Sequence, residues 1–107
     1  MEVMKIKKAL KMLSALSQET RLAIFKLLVQ EGPEGISAGA ISEILQVPPT
    51  TLSFHLAQLS DSGLLKSHKN GRVVMYAAKH KSFKNLHRFI TENSYKKRQK
   101  ELKTEEN

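Results

Sequence analysis

The chain has no cysteine and no tryptophan, a single aspartate among its 107 residues, and no lysine or arginine at all between residues 31 and 63. Each absence closes a class of function. Without thiols there is no disulfide, no thiolate metal ligand and no cysteine redox switch. No apolar run approaches the roughly 20 residues of a membrane span. The N-terminal stretch MEVMKIKKALKML interleaves lysines with its apolar residues, unlike the unbroken apolar centre of a secretory signal, so the sequence reads as cytoplasmic. Enzyme chemistry finds little to use: four histidines have no cysteine partner, the one aspartate is Asp61, and there is no glycine-rich phosphate loop. A non-enzyme without cofactor is expected.

The charge that is present is concentrated. The formal net charge is +8, with 18 Lys and Arg against 10 Asp and Glu. Residues 1–30 carry a net +4, residues 31–63 a net −4, residues 64–100 a net +10 and residues 101–107 a net −2. Basic excess of this kind attracts polyanions such as nucleic acid or acidic lipid, although lysines also solubilise small helical domains. With 40% hydrophobic residues the chain is expected to form one small domain with one modest core, completed by a partner subunit.

Apolar periodicity predicts a first, amphipathic helix over residues 3–16, with Ile6, Leu10, Leu13 and Leu16 at helical spacing among Lys5, Lys7, Lys8 and Lys11. Ser17 is expected to cap a second helix carrying Leu22, Phe25, Leu28 and Val29, apolar on most sides and therefore central. Gly32-Pro33-Glu34-Gly35 is a turn, and Ser37 caps a short third helix through Ile41, Ile44 and Leu45. Val47-Pro48-Pro49 forces a break, because the residue before proline leaves the helical region whereas proline suits the first turn of a new helix. A fourth helix then starts near Pro49 or Thr50, buries Leu52, Leu56 and Leu59, and ends at Gly63 as its C′ residue. Residues 64–69 and 72–77 are strands joined at Asn70-Gly71, a strong signal for a two-residue type I′ hairpin. Phe83, Leu86 and Ile90 mark a fifth helix running toward Tyr95, and residues 96–107 form a charged, disordered tail behind a domain at 1–95. The fold class is mainly α with a small β-hairpin wing, in the order ααααββα of a winged helix-turn-helix.

In that arrangement the second helix of the pair enters the DNA major groove while surrounding elements grip phosphates. With Leu52, Leu56 and Leu59 facing inward, the fourth helix presents Thr50, Ser53, Phe54, Ala57 and Gln58, with Thr51 at the edge. Gln pairs with adenine, Ser and Thr donate or accept at several bases, and an apolar ring contacts a thymine methyl group. Specificity would sit on this uncharged helix, and affinity on Lys66, Lys69, Asn70 and Arg72 of the hairpin. His55, beside the buried stripe, reads as a packed and hydrogen-bonded ring. The competing reading is a basic dimer that binds nucleic acid with little sequence preference, or an accessory subunit whose winged helix docks protein.

The stretches LSALSQETRLAIFKLL (13–28), SAGAISEILQVPPTTLSFHLAQLSDSGLL (37–65) and KNGRVVMYA (69–77) resemble the ArsR/SmtB family of winged-helix transcriptional repressors over residues 8–92. Pro49, Ser53, His55-Leu56, Leu59 and Gly63-Leu64 carry most of that likeness. The resemblance implies a homodimer built on the first and fifth helices (Ile6, Leu10, Leu13, Phe83, Leu86 and Ile90), an inverted-repeat operator on double-stranded DNA, and release when an effector binds. Members that sense soft metals use cysteines, often in or near the third helix, where this chain has Ala38, Gly39, Ala40, Ile41 and Ser42. Zinc-sensing members carry Asp-x-His and His-x-x-Glu on the fifth helix, and those positions hold His80, Ser82, Asn93 and Lys96 here. No metal site is expected within one chain, since His80 and His87, seven residues apart on one helix, are about 10 Å from each other. A site bridged between subunits by these histidines is the alternative left open, and the effector is not a thiol-bound metal.

Overall fold

The computed structural model describes residues 4–91. In chain order it contains α1 (Ile6–Leu16), α2 (Glu19–Glu31), β1 (Ile36–Ser37), α3 (Ala38–Leu45), α4 (Pro49–Asp61), β2 (Leu65–Asn70) and β3 (Val73–Ala78), followed by helical residues 80–91, here α5. The continuation toward Tyr95 and the charged segment 96–107 lie outside the described residues, as do Asn93 and Lys96.

Local chemistry explains most boundaries. Only two residues separate α1 from α2, and they divide the work of closing one helix and opening the next. Ser17 ends α1, directing both its N–H and its hydroxyl to the Ser14 carbonyl, so the cap of α2 is Gln18 rather than the expected Ser17. The Gln18 side-chain oxygen accepts from the Arg21 N–H at 2.8 Å. Ser37 caps α3 as expected, accepting from Ala40 N–H at 3.1 Å. Gln46, at φ +54, then turns the chain, and Val47 N–H returns to the Ser42 carbonyl. At the end of α4, Gly63 has φ +87, Leu64 N–H reaches the Leu59 carbonyl and Gly63 N–H the Ser60 carbonyl. These are the two bonds of a Schellman closure, with Leu59 and Leu64 both buried across it.

The sheet has three antiparallel strands in the order β1-β3-β2. The two residues of β1 were too few to register as a strand in the sequence. The register pairs Asn70 with Val73, so the hairpin loop is Gly71-Arg72 and not the expected Asn70-Gly71. Gly71 has φ +68, whereas Gln46 is the only described non-glycine residue with positive φ, so the turn is of the II′ kind, with glycine at its first central position. This register also puts Leu65 and Ala78 opposite each other in the core.

The largest fully buried side chains are Met12, Ile24, Leu28, Ile41, Leu52, Leu59 and Leu64. Helix α2 is less enclosed than its composition suggested: Ile24, Phe25 and Leu28 are buried, but Leu22 and Val29 are exposed. Ile44 of α3, expected inside, is exposed as well.

Gly35 (φ +73) passes so close to β3 that a Cβ atom there would overlap the Tyr76 carbonyl, whereas a Cβ on Gly71 would meet open space. Gly71→Ala should therefore cost about 1–2 kcal/mol from its backbone conformation alone. Gly35→Ala should cost about 1–3 kcal/mol more through overpacking. Urea denaturation of the two variants, compared with the unaltered protein, measures the difference.

Candidate nucleic-acid interface

Helix α4 opens without a side-chain cap. Pro49 occupies its first turn, where a missing N–H costs nothing, and the Pro48 carbonyl accepts from Leu52 N–H at 2.9 Å. Its buried face consists of Leu52, His55, Leu56 and Leu59, packed against α1, α2, α3 and β2. The structure places Thr50, Thr51, Ser53, Phe54, Ala57 and Gln58 in solvent on the rest of the helix. Phe54 is 60% exposed. Ser53 differs from its neighbours, because its hydroxyl donates to the Pro49 carbonyl at 3.0 Å and so offers outward only lone pairs. A groove of about 650 Å³ runs between α3 and α4, where the small residues Ala38, Gly39 and Ala40 leave the flank of α4 open.

The wing residues Lys66, Lys69, Asn70 and Arg72 are all exposed, but they do not form one patch. Strand alternation puts Lys66 and Asn70 on one face with His68, and Lys69 on the other with Leu65 and Ser67, while Arg72 sits at the tip. Lys66 and Lys69 therefore leave the hairpin on opposite faces.

The apolar residues expected at a dimer interface separate differently. Helix α1 turns Ala9, Met12 and Ala15 inward and leaves Ile6 (61% exposed), Leu10 and Leu13 in solvent. On α5, Phe83 and Ile90 are exposed, but Leu86 is 2% exposed. Leu86 therefore belongs to the chain's own core, on the inner edge of the stripe it shares with Phe83 and Ile90, and not to the interface expected of it. Phe83 rests on Phe25, with ring centroids 5.4 Å apart and planes at 47°. Leu22 and Val29 lie one turn either side of Phe25 on α2, so the exposed apolar seam continues beyond the two helices considered from sequence. Residues such as these give no sequence signal, because an outward leucine on an apolar helix looks like an inward one.

His55 has the packed role expected of it, and its partner is a residue to which sequence reasoning gave no task. Arg21 Nε donates to the Ala15 carbonyl at 2.7 Å, and one of its terminal nitrogens lies 3.3 Å from His55 Nδ1. A guanidinium only donates, so Nδ1 accepts and the imidazole proton resides on Nε2. Arg21 thus joins the end of α1, the first turn of α2 and the buried face of α4. The available signal was a lone arginine among the apolar residues of α2.

Burial holds the His55 pKa below its ordinary value of about 6.5, and the Arg21 charge pushes it the same way. The unfolded chain then takes up this proton at a higher pH than the folded one. The stabilisation is complete above about pH 6.5 and is lost as pH falls from there through the folded value. His55→Gln should remove that part of the acid slope in the thermal midpoint. An NMR titration should find His55 below 6.5 in the unaltered protein and partly raised in Arg21→Gln, since burial, the larger cause, persists.

Comparison with known proteins agrees with this geometry. A helix-turn-helix domain family matches residues 16–68. The HTH-type transcriptional regulator YceK of Bacillus subtilis is 35% identical over 69 residues, 64% of this chain and 68% of that protein. The HTH-type transcriptional regulator YgaV of Escherichia coli is 32% identical over 71 residues, 66% of this chain and 70% of that protein. Among solved structures, an ArsR-like transcriptional regulator from Rhodococcus sp. RHA1 superposes with a TM-score of 0.79 at 27% identity, covering 92% of this chain and 90% of that one. A sequence match across the helix-turn-helix and a structural match across nearly the whole chain converge: this protein is a winged helix-turn-helix transcriptional regulator of the ArsR family, and not an enzyme.

Proposed function

We propose that the protein is a cytoplasmic, homodimeric repressor that reads an inverted-repeat operator through α4. The observation that carries this reading is the outward face of α4, exposed, polar, free of lysine and arginine, and followed directly by a basic wing. Thr50, Thr51, Ser53, Phe54 and Gln58 would contact base edges, with Ser53 as an acceptor only. Lys66, Lys69, Asn70 and Arg72 would hold the backbone, in register but without base information. The dimer would form on Ile6, Leu10, Leu13, Phe83 and Ile90, a seam of large apolar side chains that no part of the described chain covers. A twofold dimer of such units matches a palindromic site with half-site centres about 34 Å or a multiple apart. Bound across a promoter, it would exclude polymerase. Its effector would act without thiolate ligation, since these 107 residues include no cysteine.

Fluorescence anisotropy on the DNA upstream of its own gene, against a scrambled duplex at fixed salt, tests the reading. Tighter binding to the upstream DNA is expected, and equal binding to both would favour non-specific nucleic-acid association. Gln58→Ala should lose about 1–3 kcal/mol of base discrimination at one position per half-site. Lys69→Ala or Arg72→Ala should instead weaken all duplexes alike and reduce the salt slope by about 1 for each phosphate no longer neutralised. Leu10 is exposed, so Leu10→Glu should keep its helical circular dichroism while sedimenting as a monomer and losing operator binding.

A further inference from the structure

Resting on the reading of α4 as the base-contacting helix, we infer that Phe54 recognises the C5-methyl group of a pyrimidine in the major groove. Every other outward side chain of α4 named above, apart from Ala57, brings hydrogen-bonding atoms. Phe54 brings none, yet it is the largest side chain on that face and is 60% exposed. The thymine methyl is the apolar feature that an unmodified base pair presents in that groove. A polar residue at this position would suit water better, so the ring matches a ligand surface that is apolar and small.

The ring also has an aromatic neighbour on its inner side. The Phe54 and His55 rings meet edge-on, with centroids 6.0 Å apart and planes at 70°. His55 is itself buried and 3.3 Å from the Arg21 guanidinium, which the Ala15 carbonyl anchors in turn. The chemistry recognised is a methyl group on C5, and two bases supply it, thymine and 5-methylcytosine.

The test uses the full chain and the best duplex that it selects from a randomised pool. Each thymine is replaced in turn by deoxyuridine, which removes the methyl group and leaves every hydrogen-bonding atom in place. At one position per half-site the replacement should weaken binding about fourfold, the effect of one buried methyl-sized group. Cytosine methylated at C5 in that position should bind about fourfold more tightly than plain cytosine. Phe54→Ala, an exposed substitution that leaves the core intact, should bind the thymine and deoxyuridine duplexes equally, and Phe54→Leu should keep part of the difference. If deoxyuridine is neutral at every position, methyl recognition is overturned while base reading by the other residues stands. If Phe54→Ala keeps the full difference, the methyl group is read by another residue and the assignment to Phe54 falls. If selection yields no consensus, this inference and the proposed operator binding fall together.

Discussion

The structure depends on the burial of one side of α4 by residues that leave its other side free. A helix that offers a face to a ligand is fixed only by what lies behind it, and here that is Leu52, Leu56 and Leu59, each nearly fully buried. Each such leucine contributes about 1.5–3 kcal/mol. The prolines before the helix and the Schellman closure after it set where it begins and ends. His55 completes this face and brings the one polar group that needs a partner there. Arg21 supplies it, and through the Ala15 carbonyl ties α4 to the end of α1. Helix α4 and helix α1, which leaves Ile6, Leu10 and Leu13 exposed, are therefore joined through one side chain.

Charge is distributed around the same requirement. No lysine or arginine lies between residues 31 and 63, the span that contains α3 and α4, whereas α1, the wing and α5 are basic. The outward face of α4 thus offers no cation, and the first cations after it lie on the hairpin. Strand alternation divides the hairpin cations, since Lys66 and Lys69 leave the sheet in opposite directions.

Helix α1 arranges size in an unexpected way. Its small residues Ala9 and Ala15, with Met12, face the core, and its larger Ile6, Leu10 and Leu13 face outward. The small side chains let α1 lie close to its neighbours. The large ones stay exposed, as do Phe83 and Ile90 of α5 and Leu22 and Val29 of α2.

Much of this was legible in the residues alone. The Pro48-Pro49 break, the cap at Ser37, the leucine stripe of α4 and the glycine stop at Gly63 are local: each depends on backbone chemistry within a few residues, so the sequence by itself determined helix placement, the helix-turn-helix order and the polar face of α4. Features that depend on packing between distant segments were decided only by the tertiary structure. The hairpin loop sits one residue later than its sequence signal, with Leu65 paired to Ala78 in the core, and β1 exists only because β3 runs beside it. Leu86 went inside while Leu22, Val29 and Ile44 stayed outside, since an apolar residue carries no mark of which neighbour it will meet. Arg21 and His55 lie 34 residues apart in the chain, and only packing α2 against α4 brings a donor without an acceptor to an imidazole that needs one.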